Sequence, residues 1–394
     1  MIKITSTFSK ILFALVFALI LFISLPQNRY LYRVLNDTIF KFRLGPDQKF
    51  YLNNPNKPVK KGKSLPWPIA QSYNHWSETE AFKKMHEEKE SFAFLVIHQD
   101  SLIYEKYWQK HKDTSLSIAW SMSKSVISIL IGAAIKDGFI KSEDDLVGKY
   151  IPEYANENLT IKHLLTMSSP ITYYEAYKNP FAYTAKTLYG RPAYQTTVNY
   201  KMKGSPGKVL NYRSGETQLL SFVLSKATKQ TIAEYASKKI WKNIGAENDA
   251  LWALSFVDSL ELAYCCLSAT ARDFAKIGQL WMHQGVSING DTLVDPSFWE
   301  RSIRPAELLE KNGEKNTRYG YQWWIGRHKE DTFYYMNGLN GQFVLCVPNK
   351  EMIVLRLGNK KSKDGDDFQC PDIYNYLEFG KEICALKNER SPDL

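Results

Sequence analysis

The stretch that decides the fold is Trp120-Ser121-Met122-Ser123-Lys124-Ser125-Val126, which leads into the apolar run 126–135. A strand-like hairpin precedes this stretch, so Ser121 is predicted to lie near the start of a long helix. Residues three apart share one face of a helix, which makes Ser121 and Lys124 neighbours. A lysine whose pKa is lowered by burial can take the proton of a serine hydroxyl, and a helix N-terminus offers N–H donors to an oxyanion. The pattern therefore predicts a nucleophilic Ser121 with Lys124 as its base.

The four-residue pattern is weak by itself, and its structural alternative is an N-cap serine followed by a surface lysine. The same pattern occurs a second time at Ser205-Pro206-Gly207-Lys208, so the pattern alone does not identify a nucleophile. The Pro-Gly pair of this second copy predicts a turn, in which the serine and the lysine need not face each other. Only the first copy has the context of a strand, a short polar loop and an apolar helix.

The bulk composition indicates a globular protein with a sizeable core, since 44% of its 394 residues are apolar and 23% are charged. The net charge of +10 is concentrated at the start of the chain, where residues 1–63 hold eleven Lys or Arg and only two acidic residues. The folded body is therefore nearly neutral, which argues against nucleic-acid binding. Anionic lipid is the natural partner of the basic N-terminal segment.

The N-terminus has the layout of a secretory signal, with Lys3 and Lys10 before an apolar run over residues 11–25. The run is short for a membrane-spanning helix, and no small-x-small cleavage site follows it. A cleaved signal and an uncleaved signal-anchor both fit, and a buried core helix is the structural alternative. Arg29 and Arg33 follow the run and complicate its orientation, because positive charge favours the cytoplasmic side.

Cysteine and histidine spacing gives no metal signature, because the five cysteines form no Cys-x-x-Cys and the seven histidines form no His-x-His. No metal or organic cofactor is expected. Cys370 and Cys384 lie near the C-terminus at a spacing that permits a disulfide, although the odd number of cysteines leaves the redox compartment open.

The chain order of helices and strands predicts an α/β fold with one antiparallel sheet shared by the N- and C-terminal parts and a mostly helical lobe at about 142–260. Residues 1–25 form the signal or anchor, 26–64 a basic linker and 65–394 the main domain. Tyrosines crowd the loops after residue 172, where they either line a cleft or anchor the loops. The predicted helices are 81–90, 121–137, 161–167, 215–225, 233–241 and 269–285. The predicted strands are 91–98, 101–107, 319–325, 332–336, 342–347 and 352–357.

From about residue 65 onward the chain resembles the serine β-lactamase-related hydrolases, which include class C β-lactamases, DD-peptidases, esterases and 6-aminohexanoate-dimer hydrolases. The stretch 121–125 matches the nucleophile motif, and Asn211-Tyr212-Arg213-Ser214 falls where a Tyr-x-Asn or Tyr-x-Ser motif belongs. Thr160–Thr166, Ala269–Ala275 and Tyr319–Trp324 are also family-like. The nearest likeness is to the esterase and aminohexanoate-dimer hydrolase branch.

The resemblance implies a β-lactamase/transpeptidase-like fold and a role for each matching residue. Ser121 would form an acyl-enzyme, Lys124 would accept its proton, and Tyr212 would relay protons to the leaving group and to water. The backbone N–H groups of Ser121 and Leu339 would form the oxyanion hole. Substrate contacts would come from the following four residues: Tyr177, Ser214, Asn337 and Gly338.

The sequence departs from the family pattern at the third motif, which is usually Lys-Thr-Gly or His-x-Gly. The equivalent here is Met336-Asn337-Gly338, which has no cation to pair with a substrate carboxylate. This favours a neutral ester or amide over a β-lactam or a peptide. Ser214 replaces the usual Asn, Ser168-Ser169-Pro170 replaces Ser-Gly, and Cys265-Cys266 stands where glycines are common.

The prediction is a serine hydrolase that acts on a small ester or amide, exported or anchored in the inner membrane with its catalytic domain outside the cytoplasm. The first alternative is a β-lactamase or DD-peptidase. The second is a non-catalytic sensor that uses the penicillin-binding fold. The substrate and the oligomeric state are not predicted.

Overall fold

A six-stranded antiparallel sheet forms the centre of the computed structural model, which describes residues 6–37, 52–176, 179–362 and 370–386. Its strands run in the order β3-β2-β10-β9-β8-β7. The N-terminal strand β2 pairs with the C-terminal β10, so Val96 lies opposite Val354. The predicted sheet shared by the two ends of the chain is confirmed. Its strands are β2 (Ser91–His98), β3 (Ser101–Tyr107), β7 (Trp324–His328), β8 (Asp331–Gly338), β9 (Gln342–Val347) and β10 (Met352–Gly358).

Both faces of this sheet are buried, and alternate residues of one strand enter different cores. Ile353 and Leu355 of β10 belong to the larger apolar cluster, whereas Val354 between them belongs to the second. This is the two-residue period of a strand. The tight turn between β2 and β3 has Gln99 and Asp100 at φ of 49° and 55°, the left-handed conformation that suits a two-residue hairpin.

A second, four-stranded sheet lies beside the helical lobe and was not predicted. Its order is β1-β5-β6-β4. Strand β4 leads into Ser121, and its partner β6 follows Cys265 and Cys266, so the small sheet joins two distant parts of the chain near the predicted nucleophile. Its strands are β1 (Asn56–Val59), β4 (Ser117–Ile118), β5 (Ala250–Ala253) and β6 (Leu267–Ala269).

Helices cover the sheets and form the lobe. Two of them pack against the central sheet, each within one of its two apolar cores. These two are α10 and α12, which carry Phe274 and Tyr376 into the first and second core respectively. In chain order the helices are α1 (Ser6–Ser24), α2 (Tyr30–Leu35), α3 (Glu80–Glu88), α4 (Met122–Lys136), α5 (Ile161–Leu165), α6 (Tyr183–Tyr189), α7 (Ala193–Val198), α8 (Ser214–Thr228), α9 (Ile232–Ala236), α10 (Ala271–Met282), α11 (Pro296–Ser302) and α12 (Asp372–Ala385).

The N-terminal segment combines an exposed apolar helix with a second helix that packs on the lobe. Most apolar side chains of α1 are exposed, Phe13 by 73%. In α2, Tyr30 donates to the Pro180 carbonyl at 3.0 Å and Arg33 donates to the Tyr189 carbonyl at 3.1 Å. Among the described helices, none alone has the length and apolarity of a membrane span. The pair Phe8–Ser24 and Pro26–Leu35, bent by 91°, meets that test only jointly.

Several local predictions need correction. The strand predicted from Tyr319 begins only at Trp324, because Gly320 to Trp323 form a turn with Gln322 at φ of 60°. The predicted helix over 233–241 is divided, since α9 ends at Ala236 and a π-helical turn covers Ser237–Trp241. Cys370 and Cys384 are thiols and do not bridge, while the sulfur atoms of Cys265 and Cys266 are bonded to each other.

Candidate active site

The structure places Ser121 and Lys124 side by side at the start of α4. Ser121 is the N-cap residue, and Lys124 Nζ lies 3.0 Å from Ser121 Oγ. The lysine is only 1% exposed, so the alternative of a surface lysine does not describe it. Trp120, immediately before the serine, has a φ of 48°, an uncommon conformation for a bulky residue and one that turns the chain sharply into the helix.

A backbone carbonyl holds the lysine in this position. Lys124 Nζ donates to the Tyr264 carbonyl at 2.8 Å. The small sheet brings Tyr264 there, because β4 pairs with β6 and the Ala119 N–H donates to the Leu267 carbonyl at 2.7 Å. The Tyr264 hydroxyl is 2.7 Å from Thr187 Oγ1 of α6, which fixes the tyrosine from the other side. Sequence reasoning missed this contact, since a carbonyl acceptor has no residue-type signal.

Burial lowers the pKa of Lys124 to about 7, because the apolar surroundings disfavour the ammonium form, and the nearby Glu175 carboxylate opposes this shift. A neutral amine is therefore well populated at neutral pH. Its lone pair can accept the Ser121 proton while an N–H remains bonded to Tyr264. This is the electrostatic condition that a lysine base requires.

Tyr212 lies next to the lysine, with its ring centroid 5.0 Å from Lys124 Nζ. Its ring packs against Tyr319 and Trp324, with centroids 5.8 Å and 5.4 Å away. The preceding residue is held by a hydrogen bond of 2.8 Å from the Asn211 N–H to the Met167 carbonyl. The structure thus brings together Ser121, Lys124 and Tyr212, which are widely separated in sequence.

Glu175 is a residue of this site that sequence reasoning did not select. Its carboxylate accepts hydrogen bonds from the backbone N–H of Ser214 and, at 3.4 Å, of Gly215, and so caps the N-terminus of α8 just after Tyr212. Burial raises the pKa of Glu175, whereas Lys124 and the Ser214 N–H lower it. An acidic residue within the tyrosine-rich loops was the only available signal.

Ser214 was predicted to contact the substrate. Its backbone N–H is bonded to the Glu175 carboxylate, and the residue is only 2% exposed. Asn337 is 8% exposed at the end of β8, opposite Phe343. Tyr177 lies outside the described residues. The substrate-contact assignments stay predictions.

The proposed oxyanion donors lie at two backbone segments that touch. A Cβ on Gly338 would be 2.4 Å from the Ala119 carbonyl oxygen, so the end of β8 approaches the Ser121 loop more closely than any side chain permits. Leu339 follows directly in the β8–β9 turn, where Gln342 Nε2 donates to its carbonyl at 3.0 Å. Within the described chain, the backbone N–H groups of Ser121 and Leu339 donate to no protein acceptor.

Gln322, within the stretch 319–324, bonds to three helices around the site. Its carbonyl accepts from Ser125 Oγ at 2.7 Å, and its side-chain oxygen accepts from Thr217 Oγ1 at 2.9 Å. Its amide nitrogen donates to the Leu164 carbonyl at 3.2 Å. The backbone carbonyl and the side chain of this one buried residue therefore fix α4, α5 and α8 relative to one another.

A cleft of 490 Å³ adjoins Tyr212. Its wall includes Trp324 and Arg318, and the Arg318 guanidinium is paired with Glu310 at 2.8 Å. Lys311 and Lys315 lie on its rim. The crowded tyrosines, by contrast, act partly as packing residues, since Tyr173 and Tyr183 are fully buried.

Among the described residues, no group of three or more His, Cys, Asp or Glu side chains could hold a metal ion. The site brings together a serine hydroxyl, a buried amine, a phenol and two backbone N–H groups.

Comparison with known proteins identifies the family of this chain. The model of the family described as Beta-lactamase matches residues 80–375, which include Ser121, Lys124, Tyr212 and Leu339. The chain belongs to the beta-lactamase family. This family assignment covers the central sheet and the helical lobe, and it leaves α1 and α2 outside the match.

Among individual relatives, a 6-aminohexanoate-dimer hydrolase of Paenarthrobacter ureafaciens is 24% identical over 296 residues, which are 69% of this chain and 73% of that protein. A solved structure described as "Putative 6-aminohexanoate-dimer hydrolase from Bacillus anthracis" superposes with a TM-score of 0.70 at 23% identity, covering 86% of this chain and 92% of that one. A penicillin binding protein from Bacillus halodurans gives a TM-score of 0.59 at 16% identity, with 76% and 99% covered. These structures confirm the β-lactamase/transpeptidase-like fold.

Proposed function

We propose that this beta-lactamase-family protein is a serine hydrolase that cleaves a small ester or amide through an acyl-enzyme on Ser121. The observation that carries the proposal is the buried Lys124 amine, 3.0 Å from the Ser121 hydroxyl and held by the Tyr264 carbonyl. A structural N-cap serine needs no such partner. Burying an amine is costly, and its position beside the hydroxyl supports a role in proton transfer.

In the proposed first step, Ser121 Oγ bonds to the substrate carbonyl carbon while its proton passes to Lys124. The developing oxyanion accepts hydrogen bonds from the Ser121 and Leu339 N–H groups. The bond to the leaving group then breaks, and the leaving alcohol or amine receives a proton through Tyr212. In the second step, water adds to the acyl-serine ester with the same groups acting in reverse, which releases the acid and restores the serine.

The substrate class follows from what the end of β8 presents. Met336, Asn337 and Gly338 supply no cation, so a substrate carboxylate would find no charge partner from this strand. We therefore propose a neutral ester or amide at the reacting end. The relative from Paenarthrobacter ureafaciens, a 6-aminohexanoate-dimer hydrolase, supports an amide among the substrates to be tested.

The proposed location is outside the cytoplasm, either exported or anchored in the inner membrane by α1. Support comes from Lys3 and Lys10, which precede the apolar run, and from the exposed apolar side chains of α1. A fusion of alkaline phosphatase to the C-terminus of the full chain tests this. Phosphatase activity in intact cells is expected, and its absence at normal expression would place the C-terminus in the cytoplasm.

The activity is tested with a panel of purified full-chain protein and its Ser121→Ala variant against p-nitrophenyl acyl esters, linear amide dimers and nitrocefin. We expect turnover of at least one ester or amide by the wild type, none by the variant, and little turnover of nitrocefin. Efficient nitrocefin hydrolysis would favour the β-lactamase alternative. Equal rates for both proteins would refute the assignment of Ser121.

A further inference from the structure

A cavity of 560 Å³, lined in part by basic and amide side chains, lies just beyond the end of α1. We call it the Lys186 pocket. It is bounded by Pro26 and Gln27, which directly follow α1, by the end of α6 and by one side of α7. The residues used below are Gln27, Lys186, Arg191, Gln195, Asn199 and Val257.

Two cations converge in this pocket because of the way α6 ends. The Arg191 N–H donates to the Lys186 carbonyl at 2.8 Å, so the chain folds back and both basic side chains line one cavity. Burial, and then the Arg191 charge, lower the pKa of Lys186. Two like charges placed together cost free energy unless an anion binds between them.

No carboxylate of the described chain offsets these charges in the pocket. Its described lining contains no Asp or Glu, and the Lys186 ammonium makes no hydrogen bond or ion pair with any described residue. Arg191 Nε donates to the Gln27 carbonyl at 2.9 Å, which orients the guanidinium and leaves its two amino groups for a ligand. Gln195 and Asn199, joined at 2.5 Å, add uncharged polar groups to the wall.

The surroundings of the pocket point to lipid. Near the end of α1, Leu21 and Phe22 are apolar and exposed by 54% and 42%, and Leu25 next to Pro26 is 45% exposed, whereas Ile23 is buried. The exposed Phe181 contacts Phe22 with ring centroids 6.4 Å apart, and Val257 on the pocket wall is 56% exposed. An apolar helix beside a cationic polar cavity has the two halves that a phospholipid requires: a surface for acyl chains and a site for the headgroup phosphate.

We propose that the Lys186 pocket binds the headgroup phosphate of an anionic phospholipid whose acyl chains lie along α1. Lys186 and Arg191 would contact the phosphate oxygens, Arg191 through its two amino groups. Gln195 and Asn199 would contact the polar part of the headgroup. Because α6 bounds the pocket and Arg33 joins α2 to α6, a bound lipid would fix the helical lobe against the membrane surface. This inference does not depend on the proposed hydrolytic activity.

The test is calorimetric titration of the delipidated full chain in neutral detergent with dioctanoyl phosphatidylglycerol or dioctanoyl phosphatidylcholine. We expect tighter binding of the anionic lipid. Lys186→Gln and Arg191→Gln should each weaken that binding about fivefold, and the double variant should lose the preference. Lys186→Arg should keep the preference, because it keeps the charge.

Lys226→Gln is the matched control, because Lys226 is an exposed helical lysine that lines a separate cavity of 260 Å³ without a second cation. The Lys226→Gln variant should bind the anionic lipid like the wild type. All variants should have the same thermal midpoint as Lys226→Gln. A double variant that keeps the full preference would overturn the proposal, as would equal affinity for both lipids. Displacement of the lipid by an equimolar amount of sn-glycerol 3-phosphate would instead identify a soluble phosphate ligand and refute the lipid assignment.

Discussion

The Ser121 and Ser205 copies of Ser-x-x-Lys share their pattern but not their surroundings. In the first, a helix start places a buried lysine 3.0 Å from the serine, and burial lowers the pKa of the lysine to about 7. In the second, Gly207 has a φ of 79°, the chain turns, and both Ser205 and Lys208 are exposed. The Ser-x-x-Lys pattern can therefore support proton transfer only where a helix aligns the serine with the lysine and burial removes water from the lysine amine.

The largest contrast should appear when each serine is removed. Ser121→Ala takes away the nucleophile and should reduce kcat/KM for the best ester substrate by at least about a thousandfold. Ser205→Ala, which alters an exposed turn, should leave kcat/KM within about twofold of the wild-type value, because it removes no catalytic group. Initial-rate kinetics check both, and a large loss in Ser205→Ala would break the comparison.

The two lysines should differ nearly as much. Lys124→Met replaces the buried amine with an apolar side chain of similar length, and loss of the general base should lower kcat about 10²- to 10⁴-fold. The thermal midpoint should not fall, because a costly buried amine is removed. Lys208→Met is the matched control and should keep full activity. A Lys124→Met variant with more than a tenth of wild-type activity would contradict the role of Lys124.

Tyr212 and Tyr319 belong to one aromatic cluster, and only the Tyr212 hydroxyl is proposed to transfer protons. Tyr212→Phe should reduce kcat by about 10²-fold, since it removes the proposed proton relay and retains the ring that packs on Trp324. The buried Tyr319 hydroxyl makes no hydrogen bond with any described residue, so Tyr319→Phe should leave kcat unchanged and stability equal or slightly greater. Equal activity of the two variants would remove Tyr212 from the mechanism.

The smallest effect concerns pH. Only the neutral amine of Lys124 accepts a proton, so kcat/KM should rise with pH through a limb near 7. The Glu175 carboxylate raises the pKa of Lys124, so Glu175→Gln should move this limb to lower pH. Glu175→Asp keeps the charge and should move it less. A pH–rate profile of the three proteins measures the shift, and a limb moving to higher pH in Glu175→Gln would show that Glu175 does not act on Lys124 through its charge.

The central sheet and α4 could be predicted from the sequence because their patterns are local. Strand β2 reads as a continuous apolar run, and the apolar residues after Val126 fill a helix that ends before Gly138, at a φ of 78°. The second sheet could not be predicted. Its strands have only two to four residues, too few for a two-residue period to show.

The proposed catalytic groups also differ in how far the sequence predicts them. Ser121 and Lys124 are recognisable because a helix makes their spacing meaningful, and Tyr212 because it stands in a family-like stretch. The Tyr264 carbonyl and the Glu175 carboxylate reach the site only through tertiary structure, by pairing of β4 with β6 and by capping of α8. No sequence pattern encodes either contact.

The most direct test of the central claim is the site of covalent modification by a fluorophosphonate. The full-chain protein would be treated with the reagent, digested and mapped by tandem mass spectrometry. The account predicts one stoichiometric adduct on Ser121, none on Ser205, and none in Lys124→Met on the same timescale. A folded wild-type protein that remains unmodified, or that is labelled on another serine, would contradict the claim that Lys124 activates Ser121.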